Sequence, residues 1–145
     1  MQPNPYAQYR TNQIKTASTG ELVVMLYDGA IRYLNTAIPA IEARQYDVSG
    51  FNLFQAQEVV LELYAGLDFE QGGDLAQNLS RLYLYMHRTL VQANVKKDVE
   101  AIQGVIKLLS QLRDAWRTVV YGAAQTAASA APAPQRAVLA GGLAA

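Results

Sequence analysis

The chain has no cysteine and a single histidine, His87, among its 145 residues. The first absence excludes a disulfide scaffold and a thiolate metal site, and makes the cytoplasm the expected compartment. The second leaves the usual catalytic and metal constellations short of parts. No run of about 18 apolar residues occurs, so no membrane span is expected. The opening residues, Met1 to Arg10, hold no apolar core of a signal peptide, and none is expected. Charge is scarce as well. Asp, Glu, Lys and Arg make up 17% of the chain, against about 25% in a typical soluble domain. Twelve basic residues balance twelve acidic ones, so the basic face that non-specific nucleic-acid binding requires is missing.

What the chain has in quantity is apolar surface, at 51% of residues. Residues 122–145 contribute eleven alanines and one charge, Arg136, yet without them the remainder is still about half apolar. One domain with a real core fits this length; two do not.

Hydrophobic spacing places four helices. Residues 1–17 read as an extended polar arm, because Pro3 and Pro5 push their neighbours out of helix while Tyr6, Tyr9 and Ile14 interleave with polar residues. Ser18 followed by Glu21 forms a capping box that starts the first helix. Leu22, Leu26, Ala30, Leu34, Ala37 and Ile41 share one face of it, and Asp28 and Arg32 are expected to pair one turn apart. Pro39 removes the bond to the Asn35 carbonyl and should kink the last turns. A second helix runs from about Asp47 to Asp68, with Leu53, Ala56, Val60, Leu63, Tyr64 and Leu67 at helical spacing. Phe69 to Gly73 reads as a loop, the glycine pair being the strongest breaker in the chain. Asp74 then caps a third helix carrying Leu75, Leu79, Leu82, Met86, Leu90 and Ala93. Asp98 caps the fourth, where Ile102, Ile106, Leu109 and Trp116 keep register and Val105, Leu108, Leu112 and Val119 lie off the main seam. The fold expected is all-α: an antiparallel four-helix bundle over residues 18–121, with an N-terminal arm (1–17) and a flexible alanine-rich tail (122–145).

No catalytic arrangement emerges. The serines show no nucleophile elbow. A di-iron carboxylate bundle needs two Glu-x-x-His pairs, and Leu84 stands three residues before the lone His87. Gly72-Gly73 lacks the Lys-Ser/Thr of a phosphate loop. His87 reads as a surface or satisfied helix histidine. No enzyme activity, metal or cofactor is expected.

The helices carry more apolar surface than two-faced helices need. Val59-Val60-Leu61, Leu63-Tyr64-Ala65 and Leu82-Tyr83-Leu84-Tyr85-Met86 each cover more than a stripe of about 100°. Wide core stripes or a homodimer would account for this. An exposed groove for a partner accounts for it better, because monomers seldom leave large apolar patches uncovered. Nine tyrosines suit a surface that alternates between water and partner. The arm is either a plain terminus or a segment that docks into that groove.

An ordered set of short motifs runs along the chain, from Asn4-Pro5-Tyr6, Tyr9, Asn12, Ile14 and Thr16-Ala17-Ser18 to Gly20-Glu21-Leu22 and Met25-Leu26-Tyr27-Asp28-Gly29-Ala30. It continues at Ala56-Gln57, Leu63, Leu67-Asp68, Leu82-Tyr83, Tyr85-Met86, Arg88, Leu90 and Ala93-Asn94, and closes at Leu112 to Trp116. In this order the residues resemble the flagellin export chaperone family of bacterial flagellar secretion. The resemblance implies a cytosolic chaperone, monomeric without its client, that binds the carboxy-terminal segment of flagellin, blocks premature polymerisation and presents it to the flagellar export gate. It also implies a lid made by Tyr6, Tyr9 and Ile14 over a groove drawing on Tyr27, Val59, Leu63, Tyr83, Met86, Leu90, Asn94 and Trp116. Thr19 and Pro39 depart from the family's pattern.

Overall fold

The structure is a computed structural model that describes residues 19–123. Those residues form four helices: α1 Thr19–Glu42, α2 Tyr46–Ala65, α3 Phe69–Lys96 and α4 Val99–Ala123. Each packs on its neighbours in a ring, α1 against α2 and α4, and α3 against the same two. This is the all-α four-helix bundle that the spacing of apolar residues implies. Gly20 near the start of α1 meets Val120 near the end of α4, while Asp28 meets Arg113, so this pair runs in opposite directions. The same holds for α2 and α3, where Gly50 approaches Asn94 and Tyr46 approaches Lys97.

The core is a continuous apolar cluster. Val23, Tyr27, Ala30, Leu34 and Ala37 of α1 face Leu53, Ala56, Val60 and Leu63 of α2 and Leu79, Tyr83, Met86 and Leu90 of α3, all at or near full burial. From α4 come Ile102, Val105 and Leu109. Val105 therefore belongs to the core and not beside it, because α4 presents a stripe at three- and four-residue steps through 102, 105 and 109.

α1 runs through Pro39 to Glu42, so the helix reaches Ile41 as its spacing implies, and the expectations revised concern α3. Pro39 and Asn35 are both exposed, so the carbonyl freed by the proline lies on the water side and costs little. α3 begins at Phe69, ahead of the glycine pair, because Asp68 caps it: its Oδ1 accepts the backbone N–H of Glu70 and Gln71, each at 3.1 Å. The residues expected as a loop thus form one helical turn, interrupted at Gly73 (φ 52°, ψ −128°), a conformation glycine alone adopts readily. The apolar stripe of α3 is set accordingly by Ala76, Leu79, Tyr83, Met86, Leu90 and Ala93, and Leu75 points out. At the next corner the expectation stands: Asp98 Oδ1 accepts the Ala101 N–H at 3.1 Å.

Ser18 of the expected capping box lies outside the described residues. So do the arm residues Tyr6, Tyr9 and Ile14 and the tail beyond Ala123.

Candidate partner-binding surface

Two tyrosines meet in the middle of the bundle. Tyr27 of α1 and Tyr83 of α3 are fully buried and hydrogen-bonded hydroxyl to hydroxyl, with ring centroids 6.4 Å apart and planes tilted by 46°. Burial pushes the Tyr27 phenol up to about 12, against a smaller opposite effect from its hydrogen bonds with Tyr83 and Trp116. Burial, reinforced by its Tyr27 neighbour, raises the Tyr83 phenol as well. Both hydroxyls therefore stay protonated across the physiological range and serve as paired dipoles inside an apolar shell.

Tyr27, Tyr83 and Trp116 are thus brought together, Trp116 being half-buried at the edge of the core. Leu63, Met86 and Leu90 are also fully buried, packed between helices with no surface open to a partner. Val59 is half-buried against the core, half a turn out of phase with Gly50 along α2. Asn94 sits apart from these, half-buried where α3 passes Gly50 of α2, and its Oδ1 accepts the Lys97 ammonium at 3.2 Å. The same ammonium lies 5.0 Å from the centre of the Tyr46 ring, a cation–π contact that ties the start of α2 to the end of α3. His87 is half-buried on α3.

The surface that stays uncovered was not singled out from the sequence. Phe51 and Phe54 on α2 are 61% and 54% exposed, and Val91 and Val95 on α3 are 40% and 80% exposed. Helical phase puts them together. On α2 the core is on the side of Ser49 and Leu53, and on α3 on the side of Leu90 and Ala93. Phe51 and Phe54 take the opposite side of the Gly50 line, and Val91 and Val95 the opposite side of the Asn94 line, so all four edge the outer face of the α2–α3 seam. Leu84, also exposed, prolongs that edge along α3. The signal was present: Phe51 and Phe54 fall outside the Leu53-Ala56-Val60-Leu63 stripe and have no place in a core built on it.

Charged residues flank the apolar edge on the same face, with the exposed Glu58 one turn beyond Phe54 on α2 and the exposed Arg88 between Leu84 and Val91 on α3. Among the described residues the inter-helix ion pairs lie elsewhere, where Asp28 of α1 receives Arg113 Nη1 at 3.0 Å and Arg117 Nη2 at 3.2 Å from α4. Asp28 therefore pairs across the bundle and not with Arg32 one turn on. Two guanidinium groups on α4 outbid one flexible neighbour on the same helix. Among the described residues no helix is long and apolar enough to cross a membrane.

A charge-poor four-helix bundle with an uncovered apolar seam belongs to the class of helical protein-binding domains. Comparison with known proteins narrows the class: residues 2–123 match the family described as flagellar protein FliS, and the chain belongs to that family. It is 36% identical over 117 residues to the flagellar secretion chaperone FliS of Bacillus subtilis (strain 168), covering 81% of this chain and 86% of that one. It is 40% identical over 116 residues to the flagellar secretion chaperone FliS of Salmonella typhimurium (strain LT2), covering 79% and 86%. The counterpart in Escherichia coli (strain K12) is 36% identical over 114 residues, covering 77% and 84%. Membership carries a chaperone role in flagellar export.

Proposed function

We propose that the chain is a cytoplasmic export chaperone that binds the carboxy-terminal segment of flagellin, prevents its premature polymerisation and delivers it to the flagellar export gate. The observation that supports this most is the apolar seam of α2 and α3 edged by Phe51, Phe54, Val91 and Val95. A polymerisation segment must hide an apolar helix face until it reaches the filament, and a seam of this kind offers that face a matching surface. The client helix pays roughly 2–5 kcal/mol to order on binding, so aromatic anchors of large area suit the task.

In this reading Asn94, half-buried where α3 passes Gly50, contributes at the seam itself. Val59 and Trp116, which keep part of their surface open on other faces of the bundle, are met by a client segment that continues past the seam. Tyr27, Leu63, Tyr83, Met86 and Leu90 act from beneath, by fixing the spacing of the helices that form the seam. Tyr6, Tyr9 and Ile14 supply an intramolecular competitor for the same apolar surface.

Calorimetry of the full chain with a peptide spanning the carboxy-terminal helix of flagellin tests the proposal. Binding is expected, weakened about tenfold or more by Phe51→Ser with Phe54→Ser, since each replaces a large apolar anchor. Absence of binding to the unaltered chain overturns it.

A further inference from the structure

The two halves of α4 are held by different means. Up to Leu109 the helix is anchored by the fully buried Ile102, Val105 and Leu109. Beyond Leu109 none of its described side chains is buried: Leu112 and Trp116 are half-buried, and Val119 and Tyr121 are 58% and 57% exposed. Leu112 and Trp116 still rest on the edge of the core, and a set of point contacts to α1 adds to them. Asp28 accepts Arg113 and Arg117, residues one turn apart, on its two carboxylate oxygens. Trp116, at the edge of the core, comes up beside the Tyr27 hydroxyl between them. At the tip, Gly20 lets Val120 come so close that a Cβ on residue 20 would stand 2.5 Å from its Cγ2.

We infer that residues 110–123 of α4 form a strap that opens from α1 as a unit, with Asp28 as its latch. Local opening starts where buried apolar contacts are few, and full burial along α4 ends at Leu109. Half-exposed ion pairs hold weakly and are screened by salt, which suits a closure meant to be reversible. Opening bares the Trp116 ring and the Tyr27 hydroxyl, and so uncovers the α1 side of the core without unfolding the bundle. The inference stands independently of which partner uses the α2–α3 seam.

Hydrogen exchange of the full chain, read by mass spectrometry, tests it, alongside acrylamide quenching of Trp116, the one tryptophan present. Asp28→Asn removes the latch charge at constant shape. Protection in 110–123 is expected to fall about three- to tenfold while 99–109 is unchanged, and quenching is expected to rise. Gly20→Ala pries at the tip with no change of charge and should loosen the same segment. Raising NaCl to about 1 M should do so in the unaltered chain. No change in any of the three, or loosening spread evenly over 99–109 and the other helices, overturns the inference.

Discussion

The hydroxyl of Tyr27 on α1 is hydrogen-bonded to the hydroxyl of Tyr83 on α3, joining two helices across the bundle inside a fully buried shell. Such a pair is best judged by removing its members singly and together. Tyr83→Phe and Tyr27→Phe each remove one side of this buried hydroxyl pair and leave the other hydroxyl without it. Each single change should cost about 1–3 kcal/mol, whereas the double change should cost less than the sum, because it removes donor and acceptor together. Urea denaturation of the four proteins gives the coupling directly.

The same pair makes the bundle sensitive to alkali. In the unfolded chain Tyr27 ionises near 10.0, while in the fold burial holds it up to about 12, and Tyr83 is raised too. Above pH 10 the unfolded state therefore binds fewer protons than the native one. The stabilisation from keeping these phenols neutral is fully present below pH 10 and is lost as pH rises towards 12, by roughly 1 kcal/mol per pH unit for each tyrosine. Denaturation midpoints measured from pH 8 to pH 11.5 should fall in this window. The Tyr27→Phe, Tyr83→Phe double variant should show a flatter profile.

In α3 the register of the helix turns on two leucines. Leu79 is 6% exposed and Leu75 is 53% exposed. Leu79→Ala should cost about 2–5 kcal/mol through lost burial and the cavity left behind, while Leu75→Ala should stay within about 0.5 kcal/mol. Thermal unfolding distinguishes them. Equal effects would place the start of α3 in the register that a cap at Asp74 implies.

That contrast also shows what a sequence can and cannot disclose. Four helices were legible because apolar residues recur at 3.6-residue spacing over long stretches, and the Asp98 cap because a side chain serves its own next turn. Both depend on neighbours along the chain. Along the chain Gly72-Gly73 reads as a break and Asp74 as a cap, whereas Asp68 caps a turn that forms before the break. Spacing pairs Asp28 with Arg32 and cannot see Arg113 and Arg117, which arrive from far along the sequence. The surplus of apolar residues was legible as a quantity, but its location was not. Tyr27, Tyr83, Met86 and Leu90 lie on the same stripes as the core and are buried in it, whereas the open seam is edged by Phe51 and Phe54, which interrupt a stripe. Family resemblance, resting on the order of residues, supplied the role that periodicity could not.

The arm gives the proposed function its kinetic signature. If Tyr6, Tyr9 and Ile14 compete for the apolar seam, the apparent affinity for flagellin is reduced by the fraction of molecules in which the arm is docked. Deleting residues 1–17 leaves the described helices untouched, since they begin at Thr19. The truncated chain should bind the flagellin peptide with a faster on-rate and should take up more of an apolar dye when empty. Replacing Tyr6, Tyr9 and Ile14 together by Ser within the full chain should reproduce both effects, because the competition resides in those side chains and not in chain length. Stopped-flow fluorescence with the labelled peptide measures the first effect and a dye titration the second. An on-rate and a dye signal that match the full chain in both variants would remove the competitor from the mechanism and leave the seam permanently open.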